Sequence, residues 1–485
     1  MTAHLAQAGG VIAAFGLAAL LVAPRRDARI GGLAAWALGC LLLAVYLAPH
    51  GHHRLFAAAA VVGVILAAAG AWIVVRVPWL LAVATLACVP ARFPVHVGHA
   101  QANLLLPMYG VVAVAALALA WELFGDDRRT RELGPLAAPA AVFVAWEGLS
   151  ILWTKDLRQG SIELLFFVLP FGLLAVALAR LAWSRFWVLT LYLQLTAMAL
   201  VFAVVGIVQY ETREIFWNPK VRVDNAYAPS GWFYRVNSVF YDPSIYGRFL
   251  VVALLATVVV FLRRRADPLW LVAAALAAGI TWVGLLVSFS QSSFVSLIVA
   301  TLLGAILAWR KRSLFLIGAA VLALVVAGVG SPQVRHRISG KTSSSLSNLT
   351  SGRSTLVSRG VKIGVHHPLL GVGVGGFRKA DAEEAHTRGG RPSHTTIVTQ
   401  FAEVGVPGLL IFLWLVVATL ALAFRRLGAG FAGSARLAFG LAFAAILVHS
   451  QAYNAFFEDP TTWALLALIV VGVRADVLVP PEGRT

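Results

Sequence analysis

Charge is scarce in this sequence, and negative charge is scarcest. Only 12% of the 485 residues are Asp, Glu, Lys or Arg, and just 21 of them are acidic. Soluble domains carry roughly a quarter charged residues, so an ordinary water-facing fold of this length is excluded. Cysteine is nearly missing as well. Cys40 and Cys88 stand alone inside apolar runs and carry no information about redox compartment or metal. No long low-complexity tail, no soluble domain and no internal repeat can be found. The first apolar run, 9–22, has no basic stretch before it and no small-residue cleavage site after it, so it reads as a retained helix.

Apolar residues are abundant. They make up 60% of the chain, with a mean hydropathy of +0.84. They come in runs of about 16–24 residues, the length that spans a hydrocarbon core as a helix. The runs are rich in Leu, Ala, Val and Phe without the period-2 alternation of barrel strands. The expected fold class is therefore an all-α polytopic membrane protein of 12 to 15 transmembrane helices. Candidate spans are 9–23, 31–49, 55–75, 78–90, 103–124, 135–153, 161–180, 186–209, 243–262, 268–288, 292–309, 313–330, 404–424, 437–455 and 460–474.

The net charge of +18 invites a nucleic-acid reading, but topology explains it first. With alternating sides, Arg25/Arg26/Arg29, Arg128/Arg129/Arg131, Arg263/Arg264/Arg265, Arg310/Lys311/Arg312 and Arg425/Arg426 fall on one face. Their agreement assigns that face to the cytoplasm. On the opposite face, positive charge is sparse except in two segments, 210–248 and 331–402. The predicted organisation is N-terminal helices over 1–209, a core over 210–475 and a cytoplasmic tail over 476–485. The core comprises an outer aromatic segment (210–242), a large extracytoplasmic loop (331–402) and final helices (404–475).

The large loop holds ten basic residues against Asp381, Glu383 and Glu384, with a Ser-rich stretch at 342–351. Leu356, Val357, Gly360, Val361, Ile363 and Val365 recur near helical period, while Arg359, Lys362 and His366 share the other face. Two readings fit: a helix lying on the membrane with cations displayed to phosphate, or a generic surface helix. Gly371-Val-Gly373-Val-Gly-Gly376 matches G-x-G-x-x-G formally, but lacks the strand-to-helix context and the following acid of a dinucleotide site. A tight turn after His367-Pro368 is expected. Arg391-Pro-Ser-His394-Thr precedes a helix. There, a neutral imidazole could take a proton from a hydroxyl, or simply cap and pack. Segment 210–248 holds ten aromatics, among them Phe216, Trp217, Trp232, Phe233, Tyr234, Tyr241 and Tyr246. They read as an interfacial belt or as faces for sugars and prenyl chains. Arg235 lies among them. Arg248 falls inside the next span, where an arginine is a functional hypothesis unless it snorkels.

Three stretches together resemble a known family. Arg235-Val-Asn-Ser-Val-Phe-Tyr-Asp-Pro243-Ser, His367-Pro-Leu-Leu-Gly-Val-Gly373-Val-Gly and His394-Thr-x₉-Gly405-Val-Pro-Gly408 are similar, in order and spacing, to motifs of the O-antigen ligase and Wzy polymerase superfamily. The resemblance covers roughly 230–470. It implies a metal-independent, cofactor-free transferase of the bacterial inner membrane, with its active site facing the periplasm or cell exterior. Such an enzyme moves a glycan from undecaprenyl diphosphate to a hydroxyl acceptor, such as a lipid A core or another surface glycan. The partners implied are that lipid-linked donor, a glycan or glycolipid acceptor and the bilayer, with no nucleic acid. Carried over residue by residue, His394 becomes the base. Arg235 becomes a diphosphate ligand, joined by Arg248 or by Arg353 and Arg359. This sequence departs from the pattern at Thr395, where the family has Asn, Ser or Gln. It also departs at Gln291, where Ser290-Gln291 replaces a Ser-Arg pair and leaves only a polar contact. Ligase and polymerase are both compatible with these residues. A GT-C glycosyltransferase is disfavoured because outer loops 50–54 and 91–102 contain no carboxylate. For a transporter or flippase, only Glu147 and Glu163 are acids suitably placed.

Overall fold

The computed structural model describes residues 2–48, 53–97, 100–125, 133–214, 234–263, 267–309, 353–428 and 430–474. The expected span 313–330, the Ser-rich stretch, Phe216, Trp217, Trp232, Phe233 and the tail 476–485 lie outside them, as does the side chain of Arg353.

Among the described residues the chain is a polytopic helical membrane protein. Ten helices are long and apolar enough to cross a bilayer, with shorter apolar helices at Ala60–Arg76, Trp79–Cys88 and Pro460–Val473. In order, the first helices are α1 (Thr2–Val22), α2 (Arg26–Leu47), α3 (His53–Arg76), α4 (Trp79–Cys88) and α5 (Leu106–Phe124). Next come α6 (Ala137–Ser150), α7 (Leu157–Glu163), α8 (Leu169–Arg180) and α9 (Arg185–Thr212). A π turn over Leu164–Val168 joins α7 to α8. Then follow α10 (Pro243–Arg263), α11 (Pro268–Ser288) and α12 (Gln291–Trp309). The last helices are α13 (Arg353–His366), α14 (Phe377–Glu384), α15 (Thr396–Phe424), α16 (Phe431–His449) and α17 (Pro460–Val473). One departure from the all-helical expectation is a small antiparallel hairpin, β1 (Phe93–Val97) paired to β2 (Ala100–Leu104) in register Phe93↔Leu104. It occupies the region read from sequence as a plain outer loop.

Between apolar helices in lipid there is little hydrophobic drive, so association relies on close approach of backbones. α1 and α2 achieve this where Gly9 faces Gly39 and Gly16 faces Gly32. The Trp36 indole of α2 donates to the Leu169 carbonyl beside the π turn (3.2 Å). A second core gathers around α10, where Phe202, Phe240, Tyr246 and Phe249 pack as a ring cluster. Tyr234, Phe240 and Tyr246, three of the ten aromatics in 210–248, are core residues with exposures of 3%, 1% and 0%. Tyr234 keeps its hydroxyl satisfied by accepting from Gln209 Nε2 (3.0 Å).

The large loop is built onto the bundle by its glycine turn. α15 breaks at Gly405, whose φ of 68° is left-handed, two residues before Pro407. The groups freed there are taken up by the loop: Val406 N–H donates to Pro368 O (2.8 Å) and Gly373 N–H to Glu403 O (2.8 Å). On its other side the loop meets α6 and the turn before α7. Val374 N–H donates to Ser150 Oγ (3.0 Å) and Thr154 Oγ1 to Val374 O (2.7 Å). A Cβ on Gly373 would fall 2.2 Å from Thr154 Cα, so only glycine fits. The His-Pro…Gly-x-Gly and Gly-x-x-Gly stretches are therefore two halves of one structural joint.

Candidate functional site

The joint positions α13 along α15. Leu356, Gly360, Ile363 and Gly364 face inward, the two glycines meeting Val398 and Phe401. Its cationic face meets α14, which folds back with the loop's only three acids. Arg359 Nε pairs with Asp381 Oδ1 (2.8 Å), Asp381 being 1% exposed. Asp381 also accepts the Arg391 N–H (2.8 Å). Lys362 pairs with Glu384, and Glu383 is held by Lys155. Arg359 is thus largely enclosed by its carboxylate, whereas Lys362 stays 58% exposed beside Glu384. Each is paired with a carboxylate 22 residues downstream, a pairing that helical periodicity alone could not reveal.

His394 is half-buried and sits two residues before α15, one before the N-cap Thr395. It therefore stands just before the first turn of the helix. Its neighbours are fastened. Thr395 N–H donates to Ser393 Oγ (3.2 Å), and Thr395 Oγ1 to the carbonyl of Gln451 (3.1 Å). Thr396 Oγ1 donates to Asn454 Oδ1 (2.8 Å), and Thr396 N–H reaches Ser450 O (3.2 Å). The backbone bearing the imidazole is thereby tied to the turn 449–454 between α16 and α17.

That same turn reaches the other half of the site. His449, fully buried at the end of α16, lies 3.0 Å through Nε2 from Ser292 Oγ. Ser292 is on the first turn of α12, where Ser290 Oγ and Ser293 Oγ are also hydrogen-bonded (2.7 Å). Immediately before it, α11 ends at Ser288, with Phe289 in a left-handed conformation that makes the two-residue connection possible. Arg235 closes the line: its Nε donates to Ser288 O (3.3 Å) and its Nη2 to Ser244 Oγ (3.3 Å). Arg235, the serine-rich start of α12, the turn 449–454 and the start of α15 thus form one continuous polar seam. Gln291 is exposed at its edge.

Arg248, expected as a further phosphate ligand or a snorkelling side chain, is held in a buried ion pair. It is 3% exposed and pairs with Asp459 Oδ2 at 2.7 Å. Nearby, buried Arg92 donates to the carbonyl of Glu458 (2.9 Å). Burial pushes the Glu458 carboxyl above the usual glutamate range, a rise opposed by Arg92 and Arg248. Sequence inspection passed over Arg92, Ser292, His449, Glu458 and Asp459. Each lies in a short connection or at a helix end, and their significance comes from contacts between segments far apart in the chain. The one signal available was composition: in so acid-poor a chain, adjacent Glu458 and Asp459 at a span boundary are unusual. Glu147 and Glu163, weighed as transporter carboxylates, lie near a third acid, Glu403. Glu403 has a structural task, accepting the Phe377 N–H at the start of α14 (3.0 Å).

Among the described residues no cluster of His, Cys, Asp and Glu has metal-binding geometry. No curated protein matches the chain. Residues 276–413 match the family model described as O-antigen ligase. The match takes in Gln291, Arg353, Arg359 and His394, and stops short of Arg235, Arg248 and the turn 449–454. The order of the motifs, the many membrane-spanning helices and this domain are consistent with a member of the O-antigen ligase and Wzy superfamily.

Proposed function

We propose that this protein is a transferase of the bacterial inner membrane that moves a glycan from undecaprenyl diphosphate to a hydroxyl acceptor on the extracytoplasmic face. The observation that carries this reading is the polar seam, which joins Arg235 and His394 through hydrogen-bonded segments at one end of the bundle. The O-antigen ligase domain over 276–413 supports the same class of reaction.

The chemistry suits the residues. The acceptor oxygen attacks the anomeric carbon while the bond from that carbon to the diphosphate oxygen breaks. The diphosphate leaves with the electron pair, and the acceptor proton passes to His394. Diphosphate is a good leaving group, so the protein needs mainly cationic and hydrogen-bonding support for it and a base for the nucleophile. Arg235 supplies the first, its planar fork being suited to phosphate oxygens. Arg248 and Arg359 serve instead through their buried carboxylates, as frame rather than as ligands.

The decisive variant is His394→Ala. Loss of a general base costs about 10²–10⁴-fold in rate. The purified variant is expected to keep a wild-type elution profile in detergent while transfer falls by that factor. Normal transfer by a folded His394→Ala protein would sink the assignment. Arg235→Lys is expected to raise the KM for the lipid-linked donor with little effect on the acceptor, because Lys cannot make the bidentate contact. A deletion strain gives the acceptor: full-length glycan left on the carrier marks a ligase, and accumulated single repeats mark a polymerase.

A further inference from the structure

Gln291 leaves the site one cation short of the pattern the sequence resembles, and the structure places a different pair of groups beside it. Ser292, the next residue, is half-buried, and its hydroxyl lies 3.0 Å from Nε2 of the fully buried His449. Neither residue belongs to the motifs read from sequence. Both sit on the seam, between the Arg235 contact at Ser288 and the turn that fastens the backbone around His394.

We propose that Ser292 is a ligand of the lipid diphosphate and that His449 is its positioning residue; the proposal rests on the transferase reading above. A serine hydroxyl is both donor and acceptor. To bind a phosphate oxygen, Ser292 must give its O–H to the anion, and its oxygen must then accept from elsewhere. His449 meets that need when its hydrogen is on Nε2. An N–H donated to the Ser292 oxygen fixes the rotor and polarises the O–H toward the phosphate. The seam then offers the diphosphate a charged fork from Arg235 and an oriented neutral donor from Ser292. The hydroxyl serves in place of the arginine absent at position 291. Nearby, Ser290 Oγ lies 2.7 Å from Ser293 Oγ and 3.3 Å from Ser292 Oγ, and Ser292 is the hydroxyl of this turn that an imidazole also holds.

The arrangement also explains a constraint on α10. Gly247 faces the serine turn, and a Cβ there would lie 2.6 Å from Ser293 Oγ. The turn is thus held from α10 on one side and from α16 on the other, and its hydroxyls have little freedom to reorient.

The test is equilibrium binding of undecaprenyl diphosphate to the full-length protein in detergent, with undecaprenol as the control that lacks the anion. Wild type is expected to prefer the diphosphate. A hydrogen bond to a charged group contributes enough that Ser292→Ala should weaken diphosphate binding about tenfold. His449→Phe should do the same, and undecaprenol binding should be unchanged in both. His449→Gln, which restores an N–H donor, should bind within about twofold of wild type if that one hydrogen bond is the function of the ring. The double variant Ser292→Ala/His449→Phe should be no weaker than either single one, since both remove the same contact. Unchanged diphosphate binding in Ser292→Ala overturns the proposal. So does a His449→Gln variant as weak as His449→Phe, which would make the histidine a packing residue. Wild type that binds both lipids equally would remove the transferase reading itself, together with this inference. Ser292→Ala is a small change at a half-buried helix start, so it reports even where a His449 variant fails to fold.

Discussion

The two ends of the helix bundle use arginine differently. At the end assigned to the cytoplasm, arginines donate to main-chain carbonyls where helices stop. Arg26 takes the carbonyls of Leu123 and Phe124 at the end of α5. Arg29 takes Ala23, Arg474 takes Ala179 near the end of α8, and Arg436 takes both Arg425 and Arg426 after α15. At the opposite end, Arg248 and Arg359 are held by buried carboxylates, and Arg235 reaches a carbonyl and a hydroxyl. Arg180 with Glu122 is the inner exception. A helix C-terminus has four carbonyls without intrahelical partners and carries the negative end of the dipole. Arginines at this end, Arg26 and Arg29 of the first basic cluster among them, therefore also finish helices. At the outer end, the few acids of this chain hold cations inside the structure, and the local charge balance depends on each one.

The outer pairs should accordingly break hard. Asp459→Asn leaves Arg248 buried without its countercharge, which costs about 3–5 kcal/mol when a buried pair loses one partner. The melting temperature in detergent should drop steeply. Replacing both residues, Arg248→Met with Asp459→Leu, should recover a large part of the loss, because the stranded charge is gone. If Asp459→Asn melts like wild type, the contrast between the two ends fails at its strongest point.

Asp381 is a smaller case, since Arg359 is 26% exposed. Asp381→Ala removes the partner of Arg359 and the acceptor of the Arg391 N–H together. The expected cost is about 1–3 kcal/mol, the scale of leaving a buried polar group without its partner. It should appear as faster proteolysis within 385–393, the stretch leading to His394, with the spans left resistant. Equal protection of that stretch in the variant would detach α14 from the positioning of His394.

The inner contacts should give way more gently. Arg436→Met removes a donor from two carbonyls that water can still reach in part, so about 1 kcal/mol is expected. The effect should be confined to thermal stability, with donor and acceptor kinetics unchanged. A fall in transfer with stability intact would mean that the two ends are coupled and that the division of labour is wrong.

Much of this was legible in the sequence, and the rest was hidden for physical reasons. Span positions follow from run length: 243–262 and 268–288 became Pro243–Arg263 and Pro268–Ser288. The start of α15 was misplaced from 404 to 396, because the break at Gly405-Val-Pro407 looks like a helix beginning when it is an interruption spliced by the glycine loop. The candidate residues His394 and Arg235 carried a local signature, whereas Ser292 and His449 are 157 positions apart and acquire meaning only from their contact. Likewise the basic face of α13 was plain in the pattern of Arg359, Lys362 and His366. That α14 would fold back to neutralise it was not, because ion pairing between two short helices depends on the turn that joins them.

The pair that closes this face offers the gentlest test, and it has a definite sign. Lys362 hydrogen-bonds Glu384 and, with the charges of Lys362, His366 and His386, holds its carboxyl below the usual glutamate range. A carboxyl lowered on folding binds fewer protons in the folded state than in the unfolded one. Its contribution is fully present above the ordinary glutamate value and is lost as pH falls through the lowered one. Backbone hydrogen exchange in 377–391 should therefore be insensitive to this group at neutral pH. It should loosen in acid by a small amount, because Lys362 is largely exposed and water screens the pair. Glu384→Gln should show the looser state at every pH and abolish that acid step. If the step persists in Glu384→Gln, the acid sensitivity does not belong to this pair, and Glu384 is not the group that holds α14 in place.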